Sequence, residues 1–92
     1  MDVLERARLL LEELIEIMER EGENNCIQGV YAVWGAIYRS DFAGAGQNYR
    51  SVVQIKDGFS SFYIQRDNFD EMMKANRRLD EIRKELAELF AR

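Results

Sequence analysis

The sequence predicts an α+β fold in the order α-β-β-β-α: an N-terminal helix, a three-stranded antiparallel meander and a long C-terminal helix. Three observations predict it. Apolar residues recur at helical spacing through both ends of the chain. Asp57-Gly58 stands between two short β-type runs. The most apolar stretch, Ile27 to Arg39 (IQGVYAVWGAIYR), is rich in β-branched and aromatic residues.

The first element is a helix over Val3 to Glu21. Val3, Leu4, Ala7, Leu10, Leu11, Leu14, Ile15, Ile17 and Met18 recur at helical spacing, with Glu and Arg on the opposite side. Asp2 can cap its start and Gly22 its end. The apolar face is wider than a coiled-coil seam, which suggests packing on a sheet or on two neighbours at once.

In Ile27 to Arg39 two principles disagree. Periodicity favours a helix, since Ile27, Val30, Tyr31, Val33, Trp34, Ile37 and Tyr38 share one arc of the helical wheel. Propensity favours a strand, and the interior Gly29 and Gly35 would each cost a helix about 1 kcal/mol. The following residues decide for the strand. Tyr49–Lys56 and Phe59–Arg66 alternate as a hairpin about Asp57-Gly58, and a third strand is what makes such a hairpin stable. In that register Ile55/Ser60, Val53/Phe62 and Ser51/Ile64 face one side, and Arg50/Gln65, Val52/Tyr63, Gln54/Ser61 and Lys56/Phe59 the other. Ser40–Asn48, with Gly44 and Gly46, is expected as a flexible loop. The alternative, with residues 27–39 helical, is α-α-β-β-α.

The last element is a helix over Asp67 to Ala91, capped by Asp67 or Asn68. Met72, Ala75, Leu79, Ile82, Leu86 and Leu89 repeat with alternating three- and four-residue spacing. Charges flanking this seam disfavour a parallel homodimer, so packing on the first helix or antiparallel self-association is expected.

With 92 residues, 47% of them hydrophobic, the chain can form one small domain, residues 1–92, and not two. Its core would be thin, which favours a partner or self-association. The formal net charge of −4 is unevenly spread: residues 1–23 carry eight acids and three bases, whereas residues 24–66 are mildly basic. An acidic balance disfavours generic nucleic-acid binding. There is no histidine, so Ser/His and Cys/His nucleophile pairs are excluded, and a zinc site would need carboxylates almost alone. Neither a metal nor another cofactor is expected. The single cysteine, Cys26, cannot form an intramolecular disulfide and reads as a semi-buried residue at an element boundary. Met1-Asp2-Val3 leads directly into charged residues, and no apolar run approaches the ~20 residues that span a bilayer, so no membrane contact and a cytoplasmic location are expected.

The outer hairpin face is the first candidate site: Arg50, Lys56, Phe59 and Tyr63, with Arg66 at its end and Tyr38 and Arg39 from the first strand. Bases interleaved with aromatics suit stacked nucleobases, a protein hot spot or an ordinary solvated face. Tyr31 and Trp34, with the seam residues Leu79, Ile82 and Leu86, form a candidate interface. Carboxylate pairs such as Glu12 with Glu16 read as a solvated helix face, because catalysis needs acids converging in a cleft. Gly44-Ala45-Gly46 lacks the strand-loop-helix setting of a phosphate loop. The helix, meander, helix order recurs in small dimeric proteins of unrelated roles, some nucleoid-associated, and order alone does not transfer function. The expected function is a small non-enzymatic interaction protein, homodimeric, binding another macromolecule as an adaptor or inhibitor, of a size that a mobile element carries. The alternative is a nucleic-acid-binding module using the basic aromatic sheet face.

Overall fold

In the computed structural model, which describes residues 2–55 and 58–91, four helices follow one another: α1 (Val3–Glu21), α2 (Ile27–Tyr38), α3 (Phe42–Val53) and α4 (Phe69–Phe90). The fold is all-α. Among the described residues there is no strand, which corrects both the α+β meander and its α-α-β-β-α alternative.

Helices α1 and α4 form where period and caps coincide. Asp2 accepts a hydrogen bond from the Glu5 amide at 2.9 Å, and Gly22, at φ 72°, closes α1 in the left-handed conformation that glycine adopts without strain. Asn68 accepts from the Glu71 amide at 3.0 Å to start α4, with Asp70 and Glu71 in the first turn. The two helices run antiparallel. Arg6 pairs with Glu85 and Arg78 with Glu13 (Nη2 to Oε1, 2.6 Å), while Arg66 reaches Glu21 at the far end of α1.

The stretch expected as a strand is α2. Its helical period prevails because the helix lies between α1 and α3 and buries residues on both sides: Ile27, Val30, Val33, Ala36 and Ile37. The glycine that argued against a helix is what admits the neighbour. A Cβ at Gly29 would stand 2.4 Å from Val52 Cγ2, so α3 packs onto a position that no larger residue fills unchanged. Gly35 has a lesser constraint, the Arg39 guanidinium lying 3.3 Å from its Cβ position. The helix lacks a side-chain N-cap, but the Glu23 carboxylate accepts from the amides of Asn25 (2.8 Å) and Cys26 (3.2 Å) just before it.

Helix α3 corrects both the loop expected over Ser40–Asn48 and the strand expected over Tyr49–Lys56. Asp41 explains it. Its backbone amide donates to Ala36 at 2.8 Å and ends α2, while its carboxylate accepts from the Gly44 amide at 2.9 Å and starts α3. Ser40 takes φ 62° to make this tight turn. A Cβ at Gly44 would lie 2.2 Å from the Asp41 carboxylate, so that glycine serves the cap and not a mobile loop. Ala45, Gly46, Tyr49 and Val52 then fall on one buried face, a helical period hidden by small residues.

The hairpin pairs dissolve with α3, since Arg50 to Val53 are helical. Lys56 and Asp57, which the expected turn requires, lie outside the described residues. Residues 62–66 belong to neither helix nor strand. Phe59, expected on an outer polar face, is only 2% exposed and meets the Tyr49 ring edge-on at 5.5 Å. Arg83 ties this segment to α4 by donating to the Phe59 and Phe62 carbonyls at 2.6 and 3.0 Å. Asn76 does the same for Ile64, accepting from its amide at 2.7 Å and donating to its carbonyl at 2.8 Å.

Two stability predictions follow from this packing. Replacing Gly29 by Ala gains about 1 kcal/mol of helix propensity, but displacing the stiff Val52 side chain costs about 1–3 kcal/mol. Gly29→Ala should lower the urea midpoint, and combining it with Val52→Ala should cost less than the two single changes added together. A Gly29→Ala protein at least as stable as the parent would show that this contact constrains nothing. The second concerns pH. Hydrogen bonds from Arg78, Arg66 and Arg6 hold Glu13, Glu21 and Glu85 below the usual carboxylate range. Their stabilisation is therefore present above the unfolded carboxylate pKa, about 4.3, and is lost as pH falls through the lower folded values. Thermal unfolding should show an acid-side decline that becomes shallower in Glu13→Gln/Glu85→Gln; an unchanged slope would exclude these pairs as its source.

Candidate functional site

Among the described residues, those expected to form one basic aromatic face do not meet. Phe59 is in the core, and Arg66 is tied to Glu21 at 2.8 Å. Arg50 is exposed at the rim of an apolar groove of about 260 Å³ between α3 and α4, lined also by Tyr49, Val53 and Phe90. Tyr63 is half-exposed and bonded by the Gln65 side chain. Tyr38 and Arg39 end α2, and Lys56 lies outside the described residues. Nor do Leu79, Ile82 and Leu86 offer an interface: each is fully buried in the chain's own core, because the α4 seam is spent on the helices beside it. The nucleic-acid face loses its geometry with the sheet.

What the fold does bring together is the aromatic edge of α2 and an acidic stripe of α1. Tyr31, Trp34 and Tyr38 stand at i, i+3 and i+7 on α2, along the margin of its buried face. Glu12, Glu16 and Glu19 stand at i, i+4 and i+7 on α1. The indole Nε1 of Trp34 donates to Glu12 Oε2 at 3.1 Å, and the Tyr31 hydroxyl donates to Glu19 Oε2 at 2.8 Å. That second bond raises the Tyr31 phenol above its ordinary pKa. Tyr38 stacks on Trp34 with ring centroids 5.4 Å apart and remains 73% exposed. On the Tyr31 side opens a notch of about 200 Å³, lined by Glu12, Ile15, Glu16, Glu19, Tyr31 and Trp34. Pockets for drug-sized ligands run about 300–1,000 Å³, so this one has the size for a single side chain.

The charges on this face are unequally engaged. Arg8 pairs with Glu12 at 3.1 Å and approaches Glu5 at 3.8 Å, and Arg20 pairs with Glu21 at 3.3 Å. Glu16 is exposed and has no ion pair or hydrogen bond among the described residues. The Glu12/Glu16 pair, expected to be solvated, thus forms half of an acid-and-aromatic surface. Tyr31 and Trp34 were candidates for an interface from the sequence alone; the α1 acids were not. The signal existed in two helical spacings, but it required residues 27–38 to be helical before the stripes could face one another.

Among the described residues no three His, Cys, Asp or Glu side chains group to hold a metal, and no polar or charged residue is buried. Cys26 is 1% exposed, and its burial, aided by Glu23, pushes the thiol up to about 12. No helix among the described residues is long and apolar enough to cross a membrane. No family model, curated protein or solved structure matches this chain.

The state of Cys26 is directly measurable. In native buffer an aromatic disulfide reagent should modify it only as fast as the protein opens, with the full rate restored in denaturant. Fast stoichiometric labelling of the native chain would mean that the thiol is accessible.

Proposed function

We propose that this protein is a small non-enzymatic interaction module that acts by binding a basic protein surface through the α1–α2 face, as an adaptor or inhibitor. The observation that carries this reading is the alignment of Glu12, Glu16 and Glu19 beside Tyr31, Trp34 and the exposed Tyr38. Aromatic residues are enriched where binding energy concentrates, and an excess of one charge sign steers an oppositely charged partner. The overall charge of −4 and the acid excess of residues 1–23 act in the same direction. The lack of histidine removes Ser/His and Cys/His nucleophile pairs, which agrees with a non-enzymatic role. A second subunit is not needed for this reading, because α1 and α2 of one chain supply every residue of the face.

The reading is tested with defined probes. Fluorescence anisotropy at about 0.05 M salt should show binding to a labelled basic peptide, weakening as salt rises. Glu16→Lys together with Tyr38→Ala should abolish that binding while leaving helicity and the melting temperature near those of the parent, because neither side chain is buried. Binding to a DNA duplex under the same conditions, with none to the basic peptide, would overturn the proposal.

A further inference from the structure

We infer that the notch between α1 and α2 takes an arginine side chain of the basic partner, its guanidinium laid against the Tyr31 and Trp34 rings and hydrogen-bonded by Glu16. This rests on the proposed protein-binding reading and names the group recognised. Acids alone would not define such a site, because a carboxylate stripe attracts any cation. The ring wall adds the selectivity. Trp34 is held by its bond to Glu12, and Tyr31 by its bond to Glu19. Both rings are thus oriented before a partner arrives, which limits the ordering that binding must impose. Tyr38 is stacked on Trp34 but does not line the notch, whereas Tyr31 and the apolar side chain of Ile15 do.

Between the two engaged carboxylates stands the open one. Glu12 and Glu19 already accept hydrogen bonds from the rings, whereas both Glu16 oxygens are without a protein donor among the described residues. Glu12 is already paired with Arg8 and Arg20 with Glu21, so Glu16 is the acid of this notch left open to an incoming cation. Arginine fits better than lysine for two reasons. Its planar guanidinium stacks on aromatic rings and sheds water more readily than an ammonium. Its fork of N–H donors matches a carboxylate in two parallel hydrogen bonds, where lysine offers a point charge.

Trp34 is the only tryptophan of the chain, so its fluorescence reports on the notch directly. The full-length protein would be titrated at about 0.15 M salt with an arginine peptide and a lysine peptide of equal length and charge. The expected result is a change in Trp34 emission with the arginine peptide and affinity about tenfold above that of the lysine peptide. Glu16→Gln should reduce that preference, whereas Glu88→Gln, which removes the same charge from an exposed position on α4, should preserve it. Equal affinities for the two peptides, or a preference untouched by Glu16→Gln, would overturn the arginine assignment and leave the protein-binding reading standing. Binding of neither peptide would overturn both.

Discussion

The contact between Gly29 and Val52 sets how closely α3 can approach α2, and much of the structure depends on it. With no Cβ at position 29, Val52 sits against the α2 backbone, and Ala36 on the same helix is buried with it. The larger residues of α2 are then left for the other sides: Val30, Val33 and Ile37 in the core, and Tyr31, Trp34 and Tyr38 along the margin next to α1. Small residues toward one neighbour and aromatics toward the other are therefore two results of one packing solution. The Asp41 turn enforces it, because so short a connection keeps α2 and α3 adjacent.

How much of this was legible in the sequence depends on whether local signals agreed. For Val3–Glu21 the apolar period, Asp2 and Gly22 all indicated one helix, and the observed element has those bounds. For α4, Asn68 and the three-and-four repeat agreed in the same way, with the ends drawn in to Phe69 and Phe90. In α2 the period and the propensity conflicted, and tertiary packing favoured the period because a helix flanked by two helices can bury β-branched residues on both sides. Helix α3 was obscured differently. Its buried face is made of Ala45, Gly46, Tyr49 and Val52, so half of it lacks the bulk that reveals a pattern, and its glycines imitate a loop. The Asp-Gly pair and the alternation of Phe59–Arg66 are real local features. In the structure the carbonyls of Phe59 and Phe62 and the backbone of Ile64 bond instead to the side chains of Arg83 and Asn76, which no pattern within the segment indicates.

The candidate site was legible only in parts. Tyr31 and Trp34 stood out as amphipathic residues suited to interfaces, and residues 1–23 as acidic. Their juxtaposition could not be read, because in a strand Tyr31 and Trp34 would point to opposite faces, whereas in a helix they share one. The same error created a basic face, by aligning Arg50 with Tyr63 and Phe59 across a hairpin. Changing the backbone period thus dissolved one surface and formed another of opposite charge. The inversion of sign matters more than the loss of a sheet, since an acidic face and a basic one attract opposite charges.

The new face also couples recognition to folding in a particular way. The Trp34–Glu12 and Tyr31–Glu19 bonds hold α2 on α1 while aligning the acids, so removing either ring or either carboxylate perturbs both the helix pair and the surface. Glu16 is different: it makes no bond that the fold needs, yet it lies between two carboxylates that do. Glu12 on one side of it is already paired with Arg8, and Arg20 one turn on is paired with Glu21, which leaves the Glu16 carboxylate free for contact. In the proposed interaction that contact is with a cationic group, with two fixed rings beside the carboxylate to receive it. On the proposed reading, this separation of roles, rings and flanking acids for architecture and the central acid for contact, makes binding removable at one residue without loss of the fold.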